Sequence, residues 1–281
     1  RVTGKLETYA RQAKVIHLDI DPSEIGKNVA VDVPVLGNCK RTLKMLTELI
    51  QQHKHTEWID SFKQYEQKEF EHVIEPEVYP SEGPINMGEV INAVSEATHQ
   101  QAILVTDVGQ NQMMACRYFK FSKPRSLVTS GGMGTMGFSL PAAVGATFGC
   151  KYRTVCAFMG DGGLQMNLQE LGTIMEQKAP VKIILLNNNF LGNVRQWQAM
   201  FFHRRYSFTP MMNPDYMQIA SAYGIASRRV MEREELAAGI EEMLKTDGPF
   251  LLEVCVIEEG NVLPMTPPGS SVNYMMLDLD C

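Results

Sequence analysis

The sequence predicts an α/β protein built on a doubly wound, mostly parallel sheet with helices on both faces. Three observations carry that prediction. From residue 84 onward, short β-rich runs alternate with segments of helical period. Strands separated by helices pair in parallel through crossovers. Two glycine clusters stand where strands give way to helices, which is where such sheets bind ligands.

The elements follow in order. Residues 13–20, Ala-Lys-Val-Ile-His-Leu-Asp-Ile, form a β-rich run of the kind that needs neighbours on both sides. No earlier strand is there to pair with it, so the chain reads as a piece of something longer. An extended stretch at 29–36 leads to a helix that Asn38 can cap, with Leu43, Leu46, Leu49 and Ile50 as its apolar face. Between 53 and 81 the composition turns polar. Trp58, Phe62, Tyr65 and Phe70 are strung at helical spacing, and Pro76 and Pro80 end the run, which predicts a linker helix with an extended tail. His53 and His55 lack a carboxylate or thiol at metal-binding spacing and read as a solvated helix end. Helices are then predicted at 87–98, from 109, and at 138–148, 164–177, 191–200, 214–223 and 233–244. Strands are predicted at 102–107, 126–129, 154–159, 181–186 and 250–256. The division is therefore 1–52 as the end of one domain, 53–83 as linker, 84–265 as the sheet domain and 266–281 as a tail.

Composition narrows the function classes. Apolar residues are 44% and charged residues 21% of 281, which excludes disorder and collagen-like repetition. The net charge of −6, with no basic stripe, argues against a nucleic-acid partner. The 6 cysteines, Cys39, Cys116, Cys150, Cys156, Cys255 and Cys281, show no Cys-x-x-Cys pair and read as reduced core thiols. The longest apolar stretch is too short for a bilayer, and no signal peptide is recognisable. The expectation is a cytoplasmic protein with no membrane partner.

The first glycine cluster, Ser130-Gly-Gly-Met-Gly-Thr-Met-Gly137, contains a formal G-x-G-x-x-G and is followed at the next strand end by Asp161. That admits a dinucleotide fingerprint, weak when it stands alone. The second cluster competes with it. Asp161 sits between Gly160 and Gly162, with Gly163 opening a helix whose N–H groups could face phosphate oxygens. No G-x-x-x-x-G-K-S/T exists, which excludes a P-loop. One crossover later comes Asn188, in Leu185-Leu-Asn-Asn-Asn189, so two parallel strands bring Asp161 and Asn188 to the same sheet edge. Alone, Asp161 could be an N-cap and Asn188 a turn residue. Together, one carboxylate and one amide oxygen make a hard, oxygen-only site that leaves room for water and phosphates, as Mg²⁺ prefers.

The run Gly160-Asp161-Gly162 … Asn187-Asn188 resembles the signature of thiamine diphosphate enzymes. Residues 85–265 closely resemble the cofactor-binding carboxy-terminal domain of the acetolactate synthase catalytic-subunit family. The resemblance rests on Val108-Gly-Gln-Asn-Gln-Met113, the Ser130 to Gly137 cluster continued by Phe-Ser-Leu-Pro141, Gln165-Met-Asn-Leu-Gln-Glu-Leu171 and Leu191-Gly-Asn-Val-Arg-Gln-Trp-Gln198. Through Arg1-Val-Thr-Gly-Lys-Leu6 and His17-Leu-Asp-Ile-Asp-Pro22, residues 1–50 resemble the end of that family's central, flavin-binding domain.

The resemblance implies thiamine diphosphate and Mg²⁺ as cofactors, with FAD in the full-length enzyme. It implies Mg²⁺ held by Asp161, Asn188 and the Phe190 carbonyl, and a cofactor bent over Met136 with its aminopyrimidine bonded to backbone near Gly134. It places Gln110 near the diphosphate and Trp197 at the pocket for the second substrate. Asn111 stands where the family usually has His; an Asn supplies hydrogen bonds but no positive charge. The implied reaction condenses pyruvate with a second 2-oxo acid, pyruvate or 2-oxobutyrate, with loss of CO₂, in branched-chain amino-acid biosynthesis. The implied assembly is a homodimer of catalytic subunits with a regulatory small subunit. In the family an activating glutamate comes from a partner's amino-terminal domain, and no residue here takes that role. The chain alone is therefore expected to be inactive.

Overall fold

The computed structural model describes residues 4–277; Cys281 lies outside them. The chain divides into two compact units, one of residues 4–70 with 263–277 and one of 71–262. The boundaries fall at 70/71 and 262/263, where the sequence placed them at 83/84 and 265/266. The reason is local. Val73 and Val78 are buried, and the Glu77 carboxylate accepts the Gly88 N–H at 2.7 Å, so 71–83 joins the sheet unit instead of forming a linker tail.

In the smaller unit β1 (Ile16–Asp19) pairs in parallel with β2 (Val33–Leu36). Helix α1 (Cys39–Leu49) begins at Asn38, whose side chain accepts from the Arg41 N–H as the sequence predicts. Leu43, Leu46, Leu49 and Ile50 all remain exposed. Helix α2 (Thr56–Glu69) carries the predicted aromatic row, with Trp58 and Phe62 edge to face at 4.6 Å.

The larger unit opens with α3 (Glu75–Val78), which contains Pro76 in its first turn, and α4 (Met87–Ala97), closed at its start by an Asn86/Glu89 capping box. Then come β3 (Ile103–Thr106), α5 (Gln110–Tyr118), β4 (Leu127–Val128), α6 (Ser139–Gly149) and β5 (Val155–Gly160). Next are α7 (Asp161–Met166), α8 (Glu170–Gln177), β6 (Val181–Asn187), α9 (Gly192–Phe201) and α10 (Tyr216–Ala222). The unit ends with β7 (Ala226–Val230), α11 (Arg233–Lys245) and β8 (Phe250–Cys255). The sheet order is β4-β3-β5-β6-β8-β7, parallel throughout. Its inner strands are largely apolar because helices cover both faces, with Lys182 in β6 and Glu253 in β8 as buried exceptions. Residues of α4, α5 and α11 fill the core on one face, and residues of α6, α8 and α10 fill it on the other.

Two elements differ from expectation. The helix predicted over 164–177 is two helices, α7 and α8. Between them Asn167 leaves helical geometry and donates its side-chain amide to the Gly137 carbonyl at 2.6 Å. Strand β7, Ala-Ser-Arg-Arg-Val, was not expected. As an edge strand it buries little beyond Val230, so its polar sequence lacks an apolar run to announce it. Of the cysteines, Cys156 is a fully buried free thiol as expected, pushed up to about 12 by that burial, whereas Cys39 and Cys116 are exposed and differ from expectation. Among the described residues no helix is long and apolar enough to cross a membrane.

Candidate functional site

The sheet order places a switch point between β3 and β5. From β3 the chain runs outward to β4 through α5, then returns to β5 through α6, and these two helices pack on opposite faces. Crossovers that diverge in this way leave a crevice at the strand carboxyl ends. There the structure has a cleft of about 200 Å³. Its lining includes Gln110 and Asn111 from the start of α5, Met136 from the glycine loop before α6, and Gly160, Asp161, Gly162 and Gly163 from the β5–α7 junction. Asn188, Phe190 and Gly192 line it from beyond β6. Gly134 (exposed, φ +65°) and Trp197 (exposed, its ring tilted against that of Phe201 with centroids 5.0 Å apart) are not among the lining residues.

Strands β5 and β6 pair with Gly160 opposite Leu186, which brings Asp161 and Asn188 to one edge as the spacing predicted. Asp161 is 1% exposed, and burial pushes its carboxyl up to about 6. Hydrogen bonds from the Asn213 amide and from the backbone of Asp161, Gly162 and Asn189 oppose that rise without cancelling it. An anion held so dry favours a cation beside it. Asn188 is also buried; its Oδ1 accepts the Phe190 N–H at 3.3 Å while its Nδ2 has no partner. Asn189 next to it adopts φ +56°, a left-handed turn that Asn tolerates and that swings the chain from β6 toward α9.

The residues present fit a hard cation. A carboxylate, an amide oxygen and a neighbouring backbone carbonyl offer only oxygen donors. Three buried polar atoms at the cleft, Gln110 Oε1, Asn111 Oδ1 and Asn188 Nδ2, lack partners, which is the pattern of a surface awaiting a polar ligand. Among the described residues no three of His, Cys, Asp or Glu gather into a metal cluster. His53 and His55 lie 6.1 Å apart, both exposed.

Two sequence arguments need revision. The glycines around Asp161 make room chiefly for protein. A Cβ on Gly162 would lie 2.7 Å from the Met136 methyl, and one on Gly163 would meet the Asp107 carboxylate. Helix α7 begins at Asp161 itself and has only 6 residues; its first N–H groups turn to the Asp161 carboxylate instead of standing free. The dinucleotide alternative also loses its anchor. Fully buried Asp107 accepts the N–H groups of Gly137 and Ser139 at 3.0 Å each and the Ser139 hydroxyl at 2.8 Å. That carboxylate occupies the start of α6, where a pyrophosphate would have to sit.

Two residues, Asp107 and Asn213, escaped the sequence analysis, and so did the partners of Gln110. Gln110 donates to Gln196 at 2.8 Å and to the Gly260 carbonyl at 2.9 Å, so α5, α9 and the segment after β8 are locked together. Asn213 donates to Asp161 at 2.8 Å. In Met-Met-Asn-Pro-Asp its only local signal is the Asn-Pro of a turn.

Fold and cleft together define a doubly wound α/β domain with a ligand site at its topological switch point. The model of the C-terminal TPP binding domain of thiamine pyrophosphate enzymes matches residues 107–254, and the model of their central domain matches 1–46. The chain belongs to the thiamine pyrophosphate enzyme family. It is 39% identical to the large subunit of acetolactate synthase isozyme 2 of Escherichia coli, across 98% of this chain and 49% of that protein. It is also 39% identical to a probable acetolactate synthase large subunit of Methanocaldococcus jannaschii, across 98% and 47% of the two chains. Identity to the chloroplastic acetolactate synthase 2 of Nicotiana tabacum is likewise 39%, across 100% of this chain and 44% of that protein. The chain spans about half the length of the curated relatives it matches.

Proposed function

We propose that the cleft binds thiamine diphosphate through Mg²⁺, and that the protein acts as an acetolactate synthase catalytic subunit, joining pyruvate to a second 2-oxo acid with loss of CO₂. The observation that carries the reading is the convergence of Asp161, Asn188 and Phe190 on one sheet edge, with the Asp161 carboxylate 1% exposed. In this reading Asp161 Oδ, Asn188 Oδ1 and the Phe190 carbonyl hold the metal. Gln110 and the backbone of Gly160, Gly162 and Gly163 border the diphosphate. Met136, which lines the cleft, would pack against the cofactor, and the backbone near Gly134 would hold its aminopyrimidine. When bound, the cofactor would supply an electron sink for carbon–carbon bond cleavage and formation next to a carbonyl. The chain's own part is to anchor, bend and keep dry. Trp197 shapes the acceptor pocket, FAD belongs to the central domain, and the assembly is a homodimer with a regulatory small subunit. The enzyme works in the cytoplasm, although the tobacco relative is named chloroplastic.

Calorimetric titration of the chain with thiamine diphosphate, with and without Mg²⁺, and separately with NADH, tests the site. Saturable heat that requires both thiamine diphosphate and Mg²⁺ is the expected outcome. Binding of NADH with no response to thiamine diphosphate would overturn it.

A further inference from the structure

The metal site proposed above has its ligands on two separate strand ends, β5 for Asp161 and β6 for Asn188. Something must hold those ends at a fixed separation before a metal arrives. Backbone pairing ends at Gly160 and Leu186, one residue short of either ligand on β5 and two short on β6. Beyond that point the two strand ends are tied to each other through side chains, the Asp161 carboxylate itself accepting the Asn189 N–H, while β6 stays paired with β8 through Asn187.

A second side chain, from a third segment, also reaches both ends. The Asn213 amide nitrogen lies 2.8 Å from Asp161 Oδ2, 3.0 Å from Asn187 Oδ1 and 3.2 Å from Asn189 Oδ1. It therefore touches the carboxylate on β5 and both neighbours of Asn188. Its carbonyl oxygen is fixed in turn, accepting from Gln165 Nε2 at 3.0 Å and from the hydroxyl of fully buried Tyr216 at 3.1 Å. The Asp161 carboxylate, which when ionised can only accept, settles which way the amide points, because reversing it would set an oxygen against the carboxylate and a nitrogen against Gln165 Nε2. Asn213 comes from the loop before α10, far along the chain from either ligand. An amide that bridges the segments of two ligands and is itself held from behind has the geometry of a group that orients ligands without touching the ion.

We propose that Asn213 is the positioning residue of this metal site: through its amide it aims one oxygen of Asp161 and fixes the spacing between the Asp161 and Asn188 segments, so that the site suits a small ion with strict octahedral demands. The inference rests on the Mg²⁺–thiamine diphosphate reading. It goes further in assigning a role to a residue outside the cleft lining and in predicting metal selectivity. A rigid cradle favours Mg²⁺ at about 2.0–2.1 Å over Ca²⁺ at about 2.3–2.6 Å. A loosened one should discriminate less.

The test uses the 281-residue chain with saturating thiamine diphosphate, titrated with Mg²⁺ and separately with Ca²⁺, for the parent, Asn213→Ala and Asn213→Leu. Leu retains most of the volume but has no donor. Both variants should bind Mg²⁺ roughly 10- to 100-fold more weakly, the usual loss when a ligand's supporting hydrogen bond is removed. Ca²⁺ affinity should fall by less, so the ratio of the two narrows. Thermal unfolding without metal separates this from general damage, since both variants should melt close to the parent. A Leu variant with parental Mg²⁺ affinity would reduce Asn213 to packing and overturn the proposal. So would weakened Mg²⁺ and Ca²⁺ binding in equal proportion. If the parent itself fails to bind Mg²⁺ with thiamine diphosphate, the underlying reading is wrong, a result distinct from either of these.

Discussion

Asp161 shows how a single residue can serve function at the expense of the empty fold. Its carboxyl is pushed up to about 6 because burial outweighs the hydrogen bonds that favour the anion. Asp161→Asn should therefore lower Mg²⁺-dependent thiamine diphosphate affinity by on the order of 100-fold or more, at least the upper range seen for supporting residues. The same change should leave the metal-free melting temperature equal or higher at pH 8, because it relieves a buried charge. Calorimetry and thermal unfolding on one preparation check both halves. Parental affinity would refute the ligand assignment, and a large loss of metal-free stability would show that the carboxylate is structural. At this scale the sequence was informative where two residues share an edge: a strand end, one crossover and a second strand end sufficed to pair Asp161 with Asn188. It was silent on Asn213 and Asp107. Their partners lie across the fold, and nothing in their own neighbourhoods distinguishes them from turn residues.

At the scale of elements, the inner strands could be read because burial on both faces demands largely apolar runs, as in Val181 to Leu186, where Lys182 is the one charged residue. That lysine reaches the end of the sheet, where its ammonium donates to the Thr246 and Gly248 carbonyls at 2.7 and 2.8 Å. Edge strand β7 and the α7/α8 break could not be read, since both are decided by neighbours: β8 for the first, the Gly137 carbonyl for the second. The packing of α3 on α4 yields a pH prediction. Glu77 caps the start of α4, yet burial pushes its carboxyl up to about 7 from 4.5, with Glu89 adding repulsion. A raised folded-state pKa means that the folded protein binds the proton more tightly. Its stabilising contribution is complete below about pH 4.5 and is lost as pH rises through 7. Glu77→Gln keeps an acceptor for the Gly88 N–H and removes the charge. Parent and variant should match near pH 5, and by pH 8 the variant should be the more stable by on the order of 2 kcal/mol. Thermal unfolding across that range checks it; parallel pH profiles would count against the assignment.

At the scale of the whole molecule, the cleft supplies anchors but little acid–base chemistry. Its lining contains one titratable side chain, Asp161, already assigned to the metal, and otherwise amides, glycines and apolar groups such as Met87, Met136 and Leu186. Nothing among those residues can pass a proton to or from the cofactor's pyrimidine ring. The proposed reaction needs such a group, and the family resemblance places it on a glutamate of a partner's amino-terminal domain. The chain on its own should therefore bind cofactor and yet turn over slowly. Loss of one positioned acid–base group typically costs about 100- to 10,000-fold. A cleft left open to water would weaken the remaining electrostatic interactions as well. The pure 281-residue chain, incubated with pyruvate, thiamine diphosphate, Mg²⁺ and FAD and assayed for acetoin after acidification, should run at least 100-fold below an intact acetolactate synthase measured alongside. Comparable turnover would mean that the activating group lies within residues 1–281. The role assigned to Asp161 would then be the first to reconsider, as among the described residues it is the one carboxylate lining the cleft.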